Sequence, residues 1–168
     1  MKLTGKSQKL VKSLHIFAAC CWLGTAMSLV LLSLGKYMGW IPAKAFFGVD
    51  YAAHLADQWV LVNIGVLLCF ITGLIYSLFT EWGFFRHRWI IVKWIALIAC
   101  VAFGTWLGTL ESSLLRLSTE LGANAAASQE YLAILKQHLG GGVAQVIAVI
   151  AMVVISVFKP WKRQKANK

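Results

Sequence analysis

The side chains of this chain that could do chemistry are four histidines, four cysteines and one lysine set inside an apolar run. His15 stands just before the uncharged stretch from Ile16 to Leu34. Counting by threes and fours, His15, Ala18, Ala19, Trp22, Ala26, Leu29 and Ser33 fall on one helical face. That face offers an imidazole, an indole and several small side chains, a shape that admits a second helix or a flat ligand. Lys93 lies one turn into a later apolar run, on the face continued by Cys100 and Gly104. An imidazole and an ammonium at one depth in one bundle would bind an anionic ligand, such as a phosphate or the propionates of a haem. Each residue also has a plainer reading. A histidine near a helix end rests at the headgroup level, and a lysine there snorkels to the interface.

The remaining candidates are more scattered. His54 and Asp57 are three apart, a spacing that lets a carboxylate orient an imidazole. His87 falls on the same side of the membrane as His15, and His54 and His138 fall on the other, so His54 and His138 are candidate metal ligands of the outer face. Two histidines per side is the count of a two-haem electron carrier, although His87 and His138 read as loop residues. Cys20, Cys21, Cys69 and Cys100 all lie inside apolar runs, which argues against a disulfide framework. No CxxC or His/Cys zinc spacing occurs. These cysteines read as small packing residues, or, with Met27, as a soft Cu(I) site.

Composition sets the elements that must hold these residues. Of 168 residues, 60% are apolar and only 13% charged, which places the chain among integral membrane proteins. A net charge of +10 could signal nucleic acid, but the basic residues sit at the edges of apolar runs, where they set topology. The lipid bilayer is therefore the expected partner and nucleic acid is not. The basic N-terminus imitates a secretory signal, yet its apolar stretch runs past the length of a signal core, so it reads as a retained first span. Hydropathy predicts an all-α, four-transmembrane-helix bundle in one domain, residues 1–168, with spans at about 11–34, 57–80, 89–112 and 140–158.

Between the spans, 35–56 reads as a loop with a short surface helix at 43–51. Residues 111–137 read as too polar to span. Ser128 is placed to cap a surface helix over 129–139, with Tyr131, Leu132, Leu135 and Leu139 on its apolar face and Gly140, Gly141 and Gly142 ending it. In the third span, Ala96, Cys100, Gly104, Gly108 and Ser112 repeat every four residues, and Gly104 and Gly108 form a GxxxG pair that favours helix contact. Twelve of the sixteen Lys and Arg fall in the N-terminus, the 80–93 connection and the tail. By the positive-inside rule both termini are cytoplasmic, in a bacterial-type plasma membrane.

The stretch LHIFAACCWLG (Leu14–Gly24) resembles the first helix of CopD-like copper-resistance membrane domains. It is also similar to uncharacterised four-helix membrane families and to the membrane-bound bacterial protoporphyrinogen oxidases. WIIVKW (Trp89–Trp94) is similar to the start of their third helix and ITGL (Ile71–Leu74) to their second. The resemblance to the oxidases implies haem b held by His15, and the CopD-like resemblance implies copper handling. The chain departs from the oxidases at LSLGKYMGW, which lacks a basic, histidine-containing segment, and at Thr105 and Trp106, where a second histidine is looked for. Three classes of function follow. One is haem b binding for redox or haem-linked chemistry, with His15, Trp22 and Lys93 around the cofactor and an electron-transfer or membrane-protein partner. The second is copper handling by Cys20, Cys21, Met27 and His54. The third is a cofactor-free structural or interaction subunit.

Overall fold

Long apolar runs with nothing to break them become long helices, because in lipid every backbone N–H and C=O must be paired within the segment. The structure, a computed structural model, describes residues 4–80 and 88–159. It has four helices long and apolar enough to cross a membrane. They are α1 (Gly5–Tyr37), α2 (Ala43–Phe79), α3 (Arg88–Leu121) and α4 (Gln129–Phe158). The all-α four-helix fold class is what the chain adopts. His87 lies outside the described residues, as do Glu81 and Arg86.

Cross-helix contacts fix the arrangement. At one end Tyr76 Oη donates to the Gln8 carbonyl at 2.8 Å, midway Trp22 touches Gly65, and at the other end Lys36 pairs with Asp50. α1 and α2 are therefore antiparallel neighbours. On its other side α1 meets α4, with Val30 against Gly142 and Ser33 bonded to His138. Gln145 Nε2 donates to the Cys100 carbonyl at 3.0 Å and joins α4 to α3. α3 packs on α2 only along Phe46–Leu55; among the described residues its backbone hardly approaches Leu68–Phe79, and the T-shaped contact of Phe70 with Trp94 at 5.7 Å spans that divergence.

The buried faces follow a repeat of alternating threes and fours, which keeps one stripe turned inward. In α1 the stripe is Ala18, Trp22, Ala26, Leu29, Ser33 and Lys36, the face expected from the sequence and extended by one residue. In α4 it is Tyr131, Leu135, His138, Gln145, Val149 and Met152. Ile98, Trp59, Ile147 and Leu31 point outward with more than half their surface free, as bilayer-facing side chains do.

Three expectations need correction. Most of 35–56 is helix, since α1 continues to Tyr37 and α2 begins at Ala43. Its start is held down because Phe46, Asp50 and Ala53 are buried. The glycines at 140–142 do not end a helix; α4 runs straight through them, with Ser128 Oγ capping it by accepting from the Tyr131 N–H. Helix breaking by glycine is weak where no water competes for the backbone, and here the missing side chains make room. A Cβ on Gly141 would meet Leu107 Cδ2 at 2.6 Å, and one on Gly142 would meet Val30 Cγ2 at 2.9 Å. Finally, the repeat of four in α3 rotates off the interface. Gly108 faces open space and Ser112 is exposed, whereas Cys100, Gly104, Leu107, Glu111, Leu114 and Ser118 continue inward.

Candidate functional site

Polar side chains inside a membrane bundle are costly unless they pair, so where they gather is where function is sought. Among the described residues there are two such gatherings, one towards the chain termini and one towards the opposite, turn end of the bundle.

At the terminal end, His15 of α1 and Thr72 of α2 meet, with 2.8 Å between Nδ1 and Oγ1. The direction of this bond can be worked out. Thr72 has one hydroxyl proton, and it is committed to the backbone carbonyls of Leu68 at 2.6 Å and Cys69 at 3.2 Å. With that proton on the carbonyls, Thr72 Oγ1 accepts from Nδ1–H of His15, and in this tautomer Nε2 carries the free lone pair. Neutral imidazole with one nitrogen anchored in this way is the form that binds a metal. Lys93 of α3 lies within electrostatic reach of both His15 and Cys69. Its Nζ has no hydrogen-bond partner among the described residues.

His15 of α1 and Lys93 of α3 are thus electrostatic neighbours. Trp22 is placed differently. It sits about two turns deeper, only 3% exposed, with its backbone against Gly65. Its indole Nε1 is buried and has no acceptor among the described residues.

At the turn end, the Lys36 ammonium pairs with Asp50 Oδ1 and also donates to Tyr131 Oη at 3.2 Å. Tyr131 Oη in turn donates to Asp50 Oδ2 at 2.8 Å, which closes a triad of buried residues from α1, α2 and α4. Next to it His138 Nδ1 is 3.0 Å from Ser33 Oγ, and His138 Nε2 lies 4.0 Å from Glu111 Oε2. A cavity of about 650 Å³ opens beside this layer, lined by Lys36, Tyr37, Pro42, Phe46, Leu132 and Lys136 among others. Sequence reasoning counted Lys36, Asp50 and Glu111 as loop charges. The available signal was spacing: Lys36 follows Ser33 by three, and Glu111 follows Leu107 by four, so each continues a buried stripe.

A haem at the terminal end can be tested against these residues. The donor chemistry would fit one iron ligand, because His15 is half-buried, its Nδ1 is anchored at Thr72, and Lys93 lies within electrostatic reach for an anionic edge. The Trp22 N–H has no acceptor among the described residues, and Phe70 and Trp94 make the ring contact between the diverging α2 and α3. α3 offers no second histidine, since none occurs in Arg88–Leu121, and Thr105 and Trp106 are exposed.

The copper set does not assemble. Cys20 and Met27 point outward, and His54 lies roughly three turns along the bundle from Cys20. No group of three or more His, Cys, Asp or Glu converges among the described residues. His54 Nδ1 is buried without a hydrogen-bond partner among them, while Asp57 is within its electrostatic reach.

No curated protein and no solved structure matches the chain. The resemblance to CopD-like domains and the oxidases thus rests on the short stretches in α1, α2 and α3 alone. A family profile described as a predicted integral membrane protein, DUF2269, matches residues 9–160 and so takes in all four helices and both polar layers. On that match, and with four membrane-spanning helices, the chain belongs to the DUF2269 family of integral membrane proteins.

Proposed function

We propose that this integral membrane protein binds haem b at the terminal end of its bundle and serves redox or haem-linked chemistry. The observation that carries the reading is the hydrogen-bond chain from His15 Nδ1 through Thr72 to the Leu68 carbonyl, which is compatible with a free lone pair on Nε2. A bound haem b supplies one-electron transfer at its iron. The chain's own part is to hold and tune it. His15 would offer Nε2, Thr72 would hold the ring, Lys93 would meet a propionate, and Trp22, about two turns deeper, would line the pocket wall.

Protein purified in detergent from haem-sufficient cells tests this. The expected result is a Soret band in the native protein and none in His15→Ala. Lys93→Ala should keep the band's position but weaken retention by about 1–3 kcal/mol, the scale of one charge-assisted hydrogen bond. A colourless native protein, or a full band in His15→Ala, removes the proposal.

A further inference from the structure

The turn-end layer holds one ionisable group that its neighbours leave unbalanced. In the triad, both Asp50 oxygens are used, by Lys36 and by Tyr131, and the Lys36 charge is met by Asp50. Glu111 stands beside this neutral set, 3% exposed. Its Oε1 is buried and has no hydrogen-bond partner among the described residues. A carboxylate so placed is costly unless it is protonated or faces a cation of its own.

The groups around it can be named helix by helix. α1 presents Ser33 and Lys36, α2 presents Asp50 and Asp57, and α4 presents His138 and Tyr131. Lys36 is the one permanent cation among them and is already engaged; Asp57 adds a second negative neighbour. Beyond Lys36, which is shared with Asp50, His138 is the neighbour that can answer a charge on Glu111, and it does so only by carrying a proton.

We propose that Glu111 and His138 form a proton-binding site in the turn-end half of the bundle, taking up and releasing one proton as a pair. This is independent of the haem reading. The geometry gives the proton two places. When Ser33 Oγ–H donates to His138 Nδ1, the neutral ring carries its hydrogen on Nε2, facing Glu111. When Nδ1–H donates to Ser33, the Nε2 lone pair faces Glu111 and can take its proton, leaving a carboxylate beside an imidazolium. The 4.0 Å between Nε2 and Oε2 is longer than a hydrogen bond and is a distance that one water or a small side-chain rotation bridges. The partner is the proton itself; the cavity beside the layer reaches Lys36, and neither Glu111 nor His138 lines it.

Infrared difference spectra of the full chain in lipid nanodiscs, recorded between pH values and repeated in D₂O, test the site. The expected result is a protonated-carboxyl band that titrates and shifts in D₂O. It should be missing in Glu111→Gln and retained in Asp57→Asn. In His138→Gln, its midpoint should move by about tenfold or more in proton activity. No titrating buried carboxyl in the native protein, or a band that survives Glu111→Gln, overturns the proposal. Should Glu111→Gln fail to fold, His138→Gln decides alone, and an unmoved midpoint counts against the site.

Discussion

Lys36 and Asp50 show how differently a residue weighs in sequence and in structure. Fourteen positions apart and on either side of a turn, they enter a charge count as two ordinary loop residues. Folded, they are an ion pair closed by Tyr131, with side chains 3% and 2% exposed. Removing one partner leaves the other charge stranded. Asp50→Ala is expected to cost about 3–5 kcal/mol, read from thermal or denaturant unfolding in detergent, while Tyr131→Phe should cost about 1–3 kcal/mol. The double change Lys36→Met with Asp50→Leu should recover most of the loss, since no lone charge remains. A double variant as unstable as the sum of the singles would show that the two do not act as a pair. His15 and Lys93 could be named from one sequence because an ionisable group stands out in or beside an apolar run. The bond from His15 to Thr72, 57 positions away, had no local signal.

At the scale of the helix, what was legible was the repeat of apolar and small residues. The inward face of α1 could be counted by threes and fours because Ala18, Trp22, Ala26 and Leu29 keep an inward stripe. The face of α3 could not be taken from its glycines, since steps of four drift around the helix. The start of α2 was hidden because Phe46, Asp50 and Ala53 reveal a purpose only against the other three helices. Its middle, Ala56–Leu67, is a π-helix, a form more often confined to single turns. Gly65 lies in that segment, where α1 and α2 come closest. A Cβ there would meet Trp22 Cα and Cβ at 2.8 Å and Trp22 N at 2.9 Å. Backbone atoms cannot swing aside, so Gly65→Ala should part the helices and cost about 1–3 kcal/mol or more. Gly108→Ala, with nothing within 4 Å of its new methyl, should be neutral. Equal melting temperatures for the two variants would contradict the assigned interface.

The whole molecule is a four-helix membrane bundle with a polar layer in each half and an apolar core of Trp22, Cys69, Cys100, Val149 and Met152 between the layers. Its class was readable from composition, because an apolar fraction of 60% leaves no soluble alternative. Orientation is a prediction from charge: reporter fusions to the tail and after Gly39 should report opposite sides, with the tail cytoplasmic. The same side for both would break the four-span topology. The layer at the terminal end carries the central claim, that His15 Nε2 is a haem ligand set by Thr72. The most direct measurement replaces His15 with glycine and supplies the missing ligand from solution. His15→Gly is expected to lose the Soret band, and added imidazole to restore it by filling the space of the lost ring. A band that persists in His15→Gly without imidazole, or a native protein that never shows one, contradicts the central claim.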